Sequence, residues 1–117
     1  MSSNPKINLE SIMPAKSSPK SVSVTVDSNG CTPSSKSVAT GGDVTLTSKT
    51  GSNVLVYTHM GGSLTAIFNE GVPPYSATTG GGTRYTLKAS ITGAVSFDLE
   101  DPAAAPLGGN GTINVGG

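Results

Sequence analysis

From Ser21 onward, apolar and polar residues alternate with a period of two, the pattern of strands that bury one face. The alternation recurs in short blocks separated by turns rich in glycine, asparagine or proline. Eight such blocks span residues 21–26, 36–40, 44–48, 54–58, 64–68, 83–90, 94–100 and 111–115. Short strands spaced about ten residues apart are typical of β-sandwiches. The pattern predicts an all-β domain over residues 21–117, a single antiparallel Greek-key β-sandwich of about seven to eight strands.

The clearest alternation lies in residues 94–100. Val95, Phe97 and Leu99 fall on one face of this block, and small or acidic residues fall on the other. Leu87 occupies the equivalent apolar position of the preceding block. Because a strand buries one face only, we predict that Phe97 and Leu87 lie in the core.

Residues 1–20 have a different composition from the rest of the chain, with three prolines and three lysines. We predict that they form an N-terminal arm outside the sandwich. The arm carries four apolar residues, three of them spaced as one helical turn that is too short to be stable alone. We expect the arm to dock through them on a neighbouring subunit or a host surface; they are Ile7, Leu9, Ile12 and Met13. Two alternatives stay open, a disordered tail and a cover over an edge strand of the same sandwich.

Residues 69–82 form a long irregular connection between two predicted strands. Long connections are often binding elements. The middle of this one carries an apolar run of four residues. We interpret the run as a rigid, exposed knob for a protein contact; it comprises Val72, Pro73, Pro74 and Tyr75.

Charge and composition limit the classes of partner that the chain is expected to bind. Seven basic and seven acidic residues cancel, so there is no strong positive field to attract nucleic acid. No apolar run approaches the roughly 18 residues of a membrane span, and no run near the N-terminus has the length of a signal peptide. With one cysteine, no internal disulfide can form. We therefore expect protein partners, including copies of the chain itself, and leave the location unassigned, with a virion or an extracellular assembly as candidates.

The sequence contains no set of residues that indicates catalysis or a cofactor. Asp98, Glu100 and Asp101 form the one carboxylate cluster and are a weak calcium candidate, because crowded oxygen ligands suit Ca²⁺. The dedicated calcium loop motif is absent, so a solvated strand end is the favoured interpretation. His59 is interpreted as a surface residue at a strand end, and Cys31 as a small unreactive residue.

Four segments together resemble the cupredoxin family: residues 29–47, which resemble its opening, and 83–87, 93–99 and 111–115, which resemble its last three strands. An immunoglobulin-like sandwich is the alternative. The resemblance implies a copper site with two histidines, one cysteine and a weak axial ligand. The positions that correspond to these ligands lack the required side chains; they fall at Leu99, near Asn53, near Asp101 or Pro102, and near Gly108 and Gly109.

Three classes of function remain. The first is a non-enzymatic structural or interaction protein, a β-sandwich subunit of a larger assembly such as a virion decoration or other surface-coat protein. The second is a ligand-binding, carbohydrate-binding or adhesion module that uses the 69–82 connection. The third is a redox or metal-binding relative of the cupredoxins with a displaced site built from Cys31, His59 or the carboxylate cluster. We favour the first, because the chain has few charged residues, lacks a catalytic set, and carries an apolar arm and a long connection with an apolar tip.

Overall fold

A computed structural model describes residues 18–102 and 111–116, and within these ranges the chain is all-β and contains no helix. The strands are β1 Ser21–Asp27, β2 Gly30–Thr32, β3 Ser35–Val38, β4 Asp43–Ser48, β5 Val54–Met60, β6 Ser63–Leu64, β7 Tyr75–Ala77, β8 Thr83–Thr86, β9 Gly93–Glu100 and β10 Gly111–Val115. The described residues thus contain ten strands rather than seven or eight. The two additional ones, β2 and β7, are three residues long, too short for alternation to mark them in the sequence. The strand predicted over residues 64–68 is wrong, since only Leu64 of that block belongs to a strand.

The strands form two sheets. The smaller sheet has the order β2-β1-β4-β8, and the larger has the order β3-β10-β9-β5-β6, with β7 also paired to β5. Both are mixed sheets, because β1 pairs with β4 and β3 pairs with β10 in parallel. The prediction of antiparallel pairing is therefore wrong for these two pairs. A period-two pattern reports which face is buried and carries no information about strand direction.

Both sheets contribute to one hydrophobic core. Phe97 and Leu87 are buried in it, as predicted from the alternation. Most of the core is aliphatic, with β-branched residues prominent, as expected for side chains that pack on pleated surfaces. Its members are Val22, Val24, Val26, Val38, Val44, Leu46, Val54, Val56, Ile67, Phe68, Tyr75, Ala77, Leu87, Val95, Phe97, Ile113 and Val115.

The side of the fold next to β8 and β7 is closed by backbone hydrogen bonds outside the strand ladders. Lys88 N donates to Ile67 O at 2.9 Å, so the segment before the long connection covers the free edge of β8. Ser48 N donates to Thr78 O at 2.7 Å, which ties β4 to the end of β7. These bonds occupy backbone groups of Lys88 and Ser48 that the strand ladders do not use.

The predicted arm at residues 1–20 lies almost wholly outside the described residues, which begin at Ser18. Its role, and the predicted domain boundary, stay predictions. The Gly108 and Gly109 positions of the cupredoxin comparison also lie outside the described residues.

Candidate functional site

The long connection is anchored by three aromatic side chains. The Phe68 ring centroid lies 4.7 Å from that of Tyr75 and 4.9 Å from that of Tyr85. The Tyr75 hydroxyl donates to the Gly71 carbonyl at 2.8 Å and accepts from Phe68 N at 3.3 Å. Tyr75 is 2% exposed, so its predicted place on an exposed knob is wrong. The hydroxyl has partners inside the loop, which allows the large ring to be buried.

The start of the connection is fixed to β8 by two further hydrogen bonds. Asn69 N donates to Thr86 O at 2.8 Å, and Thr86 N donates to Glu70 Oε1 at 2.8 Å. The Glu70 carboxylate thus accepts the hydrogen bond that the carbonyl of a neighbouring strand would otherwise accept from Thr86 N. These bonds and the Tyr75–Gly71 bond hold the short segment between them from both ends.

Val72 lies in that held segment and is 74% exposed. Among the described residues, the other large apolar side chain that is exposed is Leu64, at 55%. Pro73 beside Val72 is half-buried and Pro74 is exposed. An apolar side chain on a loop that is already ordered loses little conformational entropy when a partner covers it. Val72 therefore has the physical properties of a preorganised protein contact.

The outer face of the larger sheet carries a polar strip formed by β5 and β9. The Tyr57 hydroxyl donates to Glu100 Oε1 at 3.0 Å. This bond, with smaller contributions from burial and from the carboxylate charge, raises the pKa of Tyr57. His59 Nδ1 lies 3.3 Å from Asp98 Oδ2 without hydrogen-bond geometry, so the two form an ion pair only when the imidazole is protonated.

The three carboxylates predicted to cluster do not all share one face. Asp98 and Glu100 lie on the outer face, whereas Asp101 is 3% exposed and is not the solvated residue expected. Ser52 Oγ donates to both Asp101 carboxylate oxygens, at 3.1 and 3.2 Å. Ser48 extends this network by donating to Ser52 O at 2.6 Å. Over residues 18–102 and 111–116, no three His, Cys, Asp or Glu side chains are close enough together to hold a metal ion.

Cys31 on β2 packs between the two sheets. It contacts the hydrophobic core, and a Cβ added at Gly111 on β10 would lie 2.6 Å from its Sγ. Burial, reinforced by the nearby charge of Asp27, raises the pKa of the Cys31 thiol to about 11. The sequence could not reveal this contact, because it joins β2 to a strand about eighty residues away.

The raised pKa predicts slow alkylation of Cys31. A pKa about two units above that of an ordinary thiol lowers the thiolate fraction roughly 100-fold, and the higher nucleophilicity of that thiolate recovers roughly tenfold. We expect iodoacetamide at pH 8 to react about tenfold more slowly with the folded protein than with the protein in urea. The alkylation rate of Cys31 in the folded protein should rise with pH up to about pH 11, because the thiolate fraction rises until the pKa is reached. Equal rates in the two states would mean that β2 does not pack against β10.

The positions that correspond to cupredoxin copper ligands serve other purposes where they are described. Leu99 packs against the core from β9, and Asn53 Oδ1 accepts from Thr79 N at 3.3 Å. Neither residue supplies a soft or imidazole ligand.

No protein-family model matches the chain, and no curated protein sequence is significantly similar to it. Along the described parts of the chain there is no helix with the length and apolar character that crossing a bilayer requires. Function must therefore be inferred from the chain's own geometry.

Proposed function

We propose that this chain is a non-enzymatic structural protein, a cupredoxin-like Greek-key β-sandwich that acts as a subunit of a larger assembly, such as a virion decoration or other surface coat. The observation that carries the proposal is the 74% exposure of Val72 on a loop that hydrogen bonds hold in place. An apolar side chain held rigidly in water is unfavourable for an isolated domain and useful at an interface.

The arm supplies the second part of the proposal. The core residues of the described fold lie between Val22 and Val115, and the sequence of the arm carries four further apolar residues. Prolines at 5, 14 and 19 restrict the unbound arm and reduce the entropy that it loses on docking. An arm of this kind joins subunits with few residues.

The cupredoxin-like assignment is preferred to the immunoglobulin-like one. Both sheets contain a parallel pair, whereas the immunoglobulin sandwich is built from two antiparallel sheets. This preference applies to the fold and not to the function, because proteins with the same fold can have different functional sites.

The proposal predicts that the full-length chain self-associates through the arm and the loop. In sedimentation experiments over a range of concentrations, Leu9→Lys should lower the association constant at least about tenfold, because a buried apolar contact becomes a charge. Val72→Asp should act in the same direction. Neither change touches the described core, so the melting temperature should stay within about 2 °C.

Each variant has a matched control in the same segment. Ser11→Lys adds the same charge to the arm at a polar position, and Thr79→Asp adds the same charge to the exposed part of the long connection. Both controls should associate like the original protein. A chain that is monomeric at all concentrations, or Leu9→Lys and Val72→Asp variants that associate normally, would contradict the proposal.

A further inference from the structure

The larger sheet ends in β3 on one side and in β6 on the other, and β3, with four residues, is the longer of these two terminal strands. Among the described residues, β3 has a single ladder partner, β10. Thr112 N donates to Ser34 O at 2.9 Å, and Gly116 N donates to Val38 O at 2.8 Å. Backbone groups alternate in direction along a strand, so those of Ser35 and Ser37 point away from β10. We call these outward groups of Ser35 and Ser37 the open edge.

The open edge differs from the outer edge of β8. There, the outward backbone groups of Thr86 bond to Asn69 N and to the Glu70 carboxylate. At the open edge, the bond of this kind between described residues joins Ala39 N to Pro19 O at 2.8 Å, beyond the end of β3. Ser35 and Ser37 are exposed. Free strand edges are sites where another strand can add.

We infer that the open edge of β3 receives residues 6–10 of the arm of a second copy of this chain, which adds as a strand beside β3. This inference rests on the proposed function, since it names the surface on which the arm docks. The five residues read Lys-Ile-Asn-Leu-Glu and alternate polar with apolar, as a strand with one buried face requires.

The side-chain pattern of β3 suits this occupant. Val38 is buried and Lys36 is half-buried, whereas Ser35 and Ser37 face outward. A strand paired beside β3 would place Ile7 and Leu9 on the core-facing side and its polar residues on the solvent side.

Charge restricts which strands can add at this edge. A lysine on an edge strand discourages indiscriminate strand addition. Lys36 lies on the same face of β3 as Val38, and its long side chain can carry the ammonium around the end of an added strand. With Ile7 and Leu9 facing the core, Glu10 faces solvent and does not pair with Lys36. The pairing therefore depends on backbone hydrogen bonds and on the two apolar side chains.

The position of the arm favours a second copy over the same chain. The bond from Ala39 N to Pro19 O places the root of the arm at the C-terminal end of the chain's own β3. To lie along that strand, residues 11–18 would have to reverse, yet residues that precede a proline favour an extended course. The ten residues from Leu9 to Ser18 reach about 33 Å when extended. A domain of about 100 residues has a radius of gyration of only about 13 Å, so the arm can cross to a neighbour.

The first test removes the backbone donor of the open edge in the full-length chain. In Ser37→Pro the outward N–H is lost, and proline is tolerated at such edge positions. We expect the association constant to fall at least about tenfold while the domain stays folded. Ser23→Pro is the matched control. Ser23 is exposed on β1. The carbonyls of Lys20 and Val26 bond to backbone N–H groups at the two ends of β4. Because backbone groups alternate in direction along a strand, the N–H of Ser23 points away from β4. This control should associate normally.

The second test uses the alternation of the added strand and does not depend on proline tolerance. Ile7→Lys should lower the association constant at least about tenfold, because Ile7 faces the core, whereas Asn8→Lys on the solvent face should leave it unchanged. Equal effects of these two substitutions, together with normal association of Ser37→Pro, overturn the inference. If Leu9→Lys still abolishes association, the arm docks elsewhere and the proposed function stands. A stable monomer whose own arm lies on β3, shown by intramolecular cross-linking of Glu10 to Lys36, overturns both.

Discussion

Replacing Phe97 with alanine is expected to lower the free energy of unfolding by about 3–5 kcal/mol. Phe97 is 1% exposed and lies in the middle of β9, between Thr58 of β5 and Gly111 of β10. Neighbours fixed in two sheet ladders can collapse only partly into the space that the ring leaves. The lost transfer free energy and the cavity therefore add.

Urea denaturation measures this change directly. The midpoint should fall while the slope stays constant, and the melting temperature should fall by at least about 12 °C for a domain of this size. Ser96→Ala is the matched control, since Ser96 precedes Phe97 on the same strand and is exposed on the outer face. It should change the free energy of unfolding by at most about 0.5 kcal/mol. Equal effects of the two substitutions would mean that the register of β9 is shifted by one residue.

Replacing Gly42 with alanine is expected to lower the free energy of unfolding by about 3 kcal/mol or more. A Cβ at Gly42 would lie 2.5 Å from Lys20 O and 2.9 Å from Ala39 O. Both oxygens already accept hydrogen bonds, from Asp43 N and from Gly42 N respectively. The clash is with backbone, so it cannot be relieved by rotating a side chain, and β1 would have to move away from β4.

Gly41→Ala is the informative comparison. Gly41 has a φ of +72° but nothing within 4 Å of its would-be Cβ. Substituting Gly41 should lower the free energy of unfolding by about 1–2 kcal/mol, the cost of placing a residue with a Cβ in the left-handed conformation. Thermal unfolding of both variants ranks the two effects. A larger loss for Gly41→Ala would show that backbone conformation, rather than close approach, governs this turn.

The period-two pattern identified the seven strands of four or more residues and their buried faces, but it missed β2 and β7 and wrongly extended β6 to residue 68. Val22, Val24 and Val26 point inward on β1, and Phe97 and Leu87 lie in the core, because side-chain direction in a strand depends on local geometry alone. The same pattern marked the 69–82 connection and the exposed Val72. Residues 1–20 are distinguished by composition, and their docking role is still a prediction.

Other features depended on contacts between distant parts of the chain. The parallel pairing of β1 with β4 follows from how the chain crosses between the sheets, and alternation is identical for either direction. Tyr75 was expected at the surface because it follows two prolines, yet the rings of Phe68 and Tyr85 surround it and loop groups satisfy its hydroxyl. Asp101 is buried because Ser52, forty-nine residues earlier, supplies its hydrogen bonds.

The physical reason is the same in each case. The sequence by itself determined local periodicity, and with it the longer strands and the core residues that those strands carry. Only the tertiary structure decided strand direction, the partners of buried polar groups, and which strands lie at the sheet edges, because each depends on residues brought together by the fold.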